Sequence, residues 1–476
     1  MRVTRLRHLE ITVGTTFLIL LAALASIAQS DKPQEKTFTL EEAVNFALKN
    51  YPAVRAAMER ENAARAGVSL ARTRYLPRLD SLWQSNRATR NNIFGLLLPQ
   101  SLVPSISGPV LATSNNDSVW GSAGGLLFSW EPFDFGYRRA AMRAAQAADH
   151  QASAEEAMTR LEVAAAAADA FLALLAAQER VRAGQADVER WQVLAKAVHV
   201  LAENELRPGA DASRADAELA GARIQLIRAQ ELERASRAAL AAILGIAGTD
   251  VRIDSGSLLS PPPSGALAAA ALSVHPLAKA ERAKVEEAQS RVQAEGRSYV
   301  PRFNFQSAIS GRGSGANTDG SVAGGLNGLG LERANWAFGL TVTFPLFDFA
   351  AVHARKQMEA ANERAEAARY DQTVQDLTGQ VEKARAAWES ARLVAENTPT
   401  QLQAAQATGI QARARYQAGL GTIVEVADAQ RLLVQAETEE ALARLSVWRG
   451  LFAVAAAQGD LQPFFQVLRA QGAGGH

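Results

Sequence analysis

Cysteine is absent from the 476-residue chain, which excludes disulfide frameworks, thiolate zinc sites, a cysteine nucleophile and a lipid carried on an N-terminal cysteine. Histidine is scarce: His8, His150, His199, His275, His353 and His476 are the whole set, and no two stand at metal-ligand spacing. Gly-x-Ser-x-Gly does not occur. No catalytic residue, metal or cofactor is expected, and the plentiful carboxylates read as solvated helix charge. Excess charge of one sign is missing too: 50 Lys and Arg against 49 Asp and Glu leave a net +1, so no basic face invites nucleic acid. After residue 28 there is no run of 18 apolar residues, so any membrane span in the mature chain has to be a β-barrel.

The N-terminus carries the targeting signal. Arg2, Arg5 and Arg7 precede an apolar stretch centred on Phe17-Leu18-Ile19-Leu20-Leu21, and Ser26-Ile27-Ala28 offers small residues before Gln29. Residues 1–28 therefore read as a secretory signal peptide.

The remainder is one unit written twice. Tyr51-Pro52 recurs as His275-Pro276 and Tyr75-Leu76-Pro77-Arg78 as Tyr299-Val300-Pro301-Arg302, both 224 residues later. Phe133-Asp134-Phe135 recurs as Phe347-Asp348-Phe349, 214 residues later. Three landmarks in the same order exceed chance. The first repeat, 29–247, is expected to hold helices at 39–74, strands at about 79–91 and 119–133, and helices at 137–203 and 209–245. The second, 265–469, is expected to hold helices at 265–297, strands at about 302–312 and 334–346, and helices at 350–417 and 421–458. Between them 248–264, with Pro261-Pro262-Pro263, reads as a linker, and 470–476 as a flexible tail. Thr39-Leu40-Glu41-Glu42 is a capping box, and Pro52 suits a first helical turn.

The strands alternate. Trp336, Phe338, Leu340, Val342 and Phe344 are apolar, with Ala337, Gly339, Thr341 and Thr343 between them. Phe303, Phe305 and Ile309, and more weakly Leu126, Phe128 and Trp130, repeat the pattern. Period two gives one apolar face and one small, polar face, as in a membrane barrel, although a sheet on a soluble core alternates in the same way. The loops joining the paired strands are long: 92–118 holds three prolines, and 311–330 holds eight glycines. That glycine cluster leads into a strand rather than a helix, which argues against a phosphate cradle.

The helices are long. Residues 138–203 contain no proline and amount to about 100 Å of helix. Val181, Val188, Trp191, Ala195, Val198 and Ala202 form a heptad seam, so this helix packs as a coiled coil. Its counterpart at 351–417 contains Pro399, where a kink is expected. Four strands per chain cannot close a barrel, and open edges are not tolerated in lipid. Copies of the chain must therefore share one, two giving eight strands and three giving twelve.

At this point the mature chain resembles the TolC-type outer-membrane efflux family. The resemblance rests on the duplicated helix–strand–strand–helix unit, the Tyr-x-Pro-Arg corners, the Phe-Asp-Phe strand ends, and above all the run Tyr416-Gln417-Ala418-Gly419-Leu420-Gly421-Thr422-Ile423-Val424-Glu425-Val426-Ala427-Asp428-Ala429-Gln430. It implies a mainly α fold with a membrane β-barrel: four strands per protomer in a shared twelve-stranded trimeric barrel, continued by an antiparallel coiled-coil tunnel. It also implies a homotrimer in outer-membrane lipid that reaches into the periplasm, an inner-membrane pump, and a periplasmic adaptor. The function implied is that of the outer-membrane channel of a tripartite efflux or type I secretion system, a passive conduit gated at its periplasmic tips. By resemblance Glu425 and Asp428 match acidic positions of the constriction, Tyr416 a residue holding the closed state, and Asp216 an acid of the first-half turn. Arg207, Pro208 and Gly209 and, in the second half, Gly419, Leu420 and Gly421 match the turns that meet the adaptor. A base often found in the family is Gly421 here, so the closed state needs another latch. Phe133, Phe135, Phe347 and Phe349 read as an interface belt or as packing rather than a ligand box. A secreted or periplasmic coiled-coil scaffold would explain the helices but not the duplicated strand pairs, and a hydrolytic envelope enzyme lacks a site.

Overall fold

The computed structural model describes residues 36–89, 117–260, 265, 271–317, 319, 321–344 and 347–473. The expected signal peptide, the proline-bearing loop of the first repeat up to residue 116, and residues 261–264 of the linker lie outside them. In chain order the elements are β1 (Lys36–Phe38), α1 (Leu40–Asn50), α2 (Pro52–Thr73), β2 (Arg78–Thr89), β3 (Ser118–Phe133), α3 (Tyr137–Glu203), α4 (Gly209–Ile243), β4 (Val251–Ile253), α5 (Pro276–Gly296), β5 (Arg302–Ser314), β6 (Arg333–Thr343), α6 (Phe349–Gln417), α7 (Ile423–Ala457) and α8 (Gln462–Ala473). They fall into two units. One comprises the chain up to Val54, Arg160–Ala269 and Val381 onward; the other comprises Arg55–Thr159 and Ala270–Gln380.

The second unit holds a four-stranded sheet. Its order is β2-β3-β5-β6, with every neighbouring pair antiparallel. The register Leu126↔Ile309↔Trp336 and Trp130↔Phe305↔Leu340 lines the apolar residues up on one face. That face is bare: Trp83, Ile309, Trp336 and Phe338 are 66%, 68%, 74% and 70% exposed, which a sheet packed on a soluble core would not allow. Phe128 and Phe305 meet edge-on and Trp336 stacks on Phe338. The opposite face carries Asn304, Gln306, Ala308 and Ser310, in register with Thr341, Gly339, Ala337 and Asn335.

The corner after β3 shows why the Phe-Asp-Phe landmark exists. Phe135 and Gly136 both take positive φ, 49° and 98°, and Asp134 secures the turn by accepting from the Gly136 N–H at 3.2 Å and from the Arg138 Nε at 2.9 Å. Burial pushes the Asp134 carboxyl up, but the bonds from Arg138 and Gly136 outweigh it and hold it below the usual range. Arg138 in turn donates to the Arg74 carbonyl and lies over the Tyr75 ring. Phe133, Phe135, Phe347 and Phe349 are all exposed beside these corners.

The first unit is helical, and its core packs Phe171, Leu174, Trp448, Leu451 and Phe464, each no more than 1% exposed. The capping box at Thr39 is present in full. The alanine-rich centre of α3 lets helices approach closely, and Ala164, Ala167 and Ala168 are buried. The heptad seam is buried at Val188, Trp191, Ala195 and Val198. At Gly450 of α7 a Cβ would come within 2.8 Å of the Trp388 Cα, so only glycine permits that approach.

Three expectations need correction. The linker is not structureless: β4 pairs in parallel with β1, Phe38 opposite Ile253, and Leu258 is buried in a following 3-10 turn. The tail is not free from 470 onward, because α8 runs to Ala473 and plants Phe464 edge-on against Trp448 and Phe452. The helix expected from 265 starts at Pro276, where His275 caps it by accepting from the Leu277 N–H at 3.1 Å. The long helix expected at 350–417 is one element, α6, with Pro399 inside it.

Candidate gate at the helical tips

Two interhelical turns in the helical unit gather the residues singled out in the sequence. The α6–α7 turn closes as a Schellman motif: Leu420 N–H donates to the Arg415 carbonyl at 2.8 Å and Gly419 N–H to the Tyr416 carbonyl at 3.1 Å, with Gly419 at φ 78°. The α3–α4 turn makes the same pair of bonds, from Leu206 to Leu201 and from Glu205 to Ala202. There the left-handed position is filled by Glu205, at φ 58°. Gly209 does not serve this cap; it begins α4, behind the N-cap Pro208.

Tyr416 links the two turns. It is 1% exposed, and its hydroxyl donates to Asp211 Oδ2 at 2.9 Å. Burial, reinforced by that carboxylate, pushes the phenol up to about 12, so it remains a donor throughout the physiological range. The Arg207 guanidinium donates to the Tyr416 carbonyl and lies 4.3 Å from the centre of the Tyr416 ring. The end of α6 is thus bound to the first-half turn through Arg207 and to the start of α4 through Asp211. Beneath, Val188, Trp191, Val198, Ala215, Ile423 and Val426 form one buried cluster with Tyr416.

The predicted acids have partners of their own. Glu425 helps start α7: its N–H donates to Thr422 Oγ1 at 3.3 Å, the same hydroxyl reaches Glu425 Oε1, and Arg415 stands 3.8 Å away. Asp428 pairs with Arg431 at 2.8 Å and Asp216 with His199 at 3.0 Å. Glu425, Asp428 and Asp216 are all exposed. Leu420, 71% exposed, presents the second turn to solvent. A side chain at Gly421 would press on the Arg415 Cβ at 3.3 Å and on Glu425 Oε2 at 3.2 Å. A base at 421 therefore has no room without displacement. Asp211 was not picked out from the sequence, and Arg207 was assigned to docking alone, because their partner lies more than 200 residues away.

The duplicated chain, its apolar sheet face and its paired tips agree with the family match: the model of outer membrane efflux proteins matches residues 43–246 and 267–460. The chain belongs to the outer membrane efflux protein family. The two matched segments follow the two sequence repeats. Among curated relatives of this efflux protein is the pyoverdine export outer membrane protein OpmQ of Pseudomonas aeruginosa, 25% identical over 426 residues that span 87% of this chain and 84% of OpmQ. Among solved structures, the transmembrane channel CusC superposes with a TM-score of 0.74 at 16% identity, covering 88% of this chain and 92% of that one. The open state of the outer membrane channel MtrE of Neisseria gonorrhoeae gives 0.65 at 19%, covering 88% and 89%. The efflux protein is an outer-membrane channel component that extends into the periplasm.

Proposed function

We propose that three copies of this efflux protein share one twelve-stranded barrel and form a passive duct whose periplasmic end is closed by the Tyr416–Asp211–Arg207 contact. The observation that carries the first part is the sheet itself: β2 and β6 have no outer neighbours among the described residues, while the apolar face stands open. Unpaired backbone groups cannot remain in lipid, so the edges must be met by strands of other copies. Three rather than two is the family's arrangement, which the resemblance supplies.

The tip contact supports the second part. Conduction needs the α6–α7 hairpin to part from its neighbours, and Tyr416 is where α6 is held. In this reading Arg207 takes over the role of the base that Gly421 cannot supply. Three copies of Glu425 and Asp428 would set two negative rings at the constriction, favouring cations. The turns at Arg207, Pro208 and Gly209 and at Gly419, Leu420 and Gly421 meet a periplasmic adaptor, which couples the duct to an inner-membrane pump. The pump selects the cargo, and the relationship to OpmQ favours a small exported metabolite over a secreted protein.

Planar-bilayer recording tests the duct. The purified protein should give discrete channels of low resting conductance, and Tyr416→Phe combined with Arg207→Ala should raise that conductance severalfold. A protein that inserts but never conducts, even with both substitutions, contradicts the reading.

A further inference from the structure

We propose that Asp187 is a proton-operated brace in the helical unit: protonated, it allows α3 to pack tightly on α4 and α7; ionised, it loosens that packing and, through the shared core, the tip. The geometry comes first. Asp187 borders a cavity of about 410 Å³ lined by Gly184 and Trp191 of α3, Ala222 and Gln225 of α4, and Val434 and Thr438 of α7, among others. Its Oδ1 is buried and has no hydrogen-bond partner. One turn along α3, Arg190 is committed elsewhere: both of its terminal nitrogens hold Glu437 of α7, at 3.1 and 2.9 Å.

The other charged groups around Asp187 offer little relief. From α4 comes Glu218, itself paired with Arg214 at 3.3 Å. From α7 come Glu437, Glu439 and Arg431. Arg431 is held by Asp428 at 2.8 Å and lies 3.9 Å from Glu218, and Glu439 accepts from Gln401 of α6 at 2.7 Å. An ionised Asp187 would add a negative charge where acids outnumber bases, and Arg190, whose buried Nε has no partner, offsets it only in part. Burial raises its carboxyl most; Arg190 lowers it, and Glu437 and Glu218 raise it again, leaving it at about 6. The folded carboxyl thus binds its proton more tightly than the unfolded one, so this stabilisation is present at low pH and is lost as pH rises through about 6.

The link to the tip is Trp191. It lines the cavity and belongs to the same buried cluster as Tyr416, Ile423 and Val426. Acid should therefore favour the closed tip.

Amide exchange of the detergent-solubilised full-length protein tests the brace. After correction for intrinsic rates, residues 179–203 should exchange ~4-fold more slowly at pH 5.5 than at pH 7.5. Asp187→Asn, which keeps the shape and removes the charge, should exchange slowly at both pH values. A pH difference that survives in Asp187→Asn, or is missing in the natural chain, overturns the proposal. The consequence for the tip rests on the duct reading and is tested separately: channel openings should rise from pH 5.5 to 7.5 in the natural chain and stay rare in Asp187→Asn. If no variant conducts, the duct reading fails and the exchange experiment still decides the brace.

Discussion

Removing the Tyr416 hydroxyl tests the tip most sharply. Tyr416→Phe deletes the 2.9 Å bond to Asp211 and leaves the ring under Arg207 and inside the buried cluster. A hydrogen bond to a charged group contributes ~1.5–3 kcal/mol. Asp211 is only part-buried, so ~1–2 kcal/mol is the appropriate figure, a shift of about 5–30-fold toward the open tip. Arg207→Ala removes a bond to the Tyr416 carbonyl and a ring contact that is weaker at an accessible site, ~0.5–1 kcal/mol. Because both contacts act on one residue, the two substitutions should not add, and the cycle should show a coupling of at least ~0.5 kcal/mol. Open probability in planar bilayers reads all four species. Strictly additive effects, or a Tyr416→Phe channel as closed as the natural one, would refute the idea that these residues act as one latch.

Further expectations come from other parts of the chain. Glu425→Ala with Asp428→Ala should reduce cation selectivity in bilayers, and unaltered selectivity would remove both residues from the constriction. Glu205→Gly should relieve a left-handed backbone at ~1 kcal/mol, seen as about fivefold slower amide exchange at the end of α3; faster exchange there would contradict it. Gly450→Leu should destabilise by ~1–3 kcal/mol through overpacking against Trp388, measured as a lower Tm, with an unchanged Tm showing that the helices can part at no cost.

The sequence carried the strands because alternation is local: Trp336, Phe338 and Leu340 announce their face without reference to any other part of the chain. It carried the long helices for the same reason, through absent prolines and the seam from Val188 to Val198. What it hid depends on distant partners. Three residues at Val251–Ile253 hold no strand signal of their own and become β4 only by pairing with Lys36–Phe38. The final helix was legible in principle, since Asp460 caps it by accepting from the Gln462 N–H and Phe464, Phe465 and Leu468 share a face, but the small polar residues beyond obscured it. At the tip, Tyr416 was marked by its motif, whereas Asp211 and Arg207 acquire their meaning only when the two turns meet. Glu425 serves as a helix-start partner of Thr422 as well as a candidate ring residue, a double use that spacing alone does not separate.

The central claim is a barrel built from several copies in the outer membrane. Cells expressing the protein should be fractionated and the outer-membrane fraction run on denaturing gels with and without boiling. The unheated band should migrate near three times the mass of the boiled chain. A monomer released in soluble form, with or without heating, would contradict it.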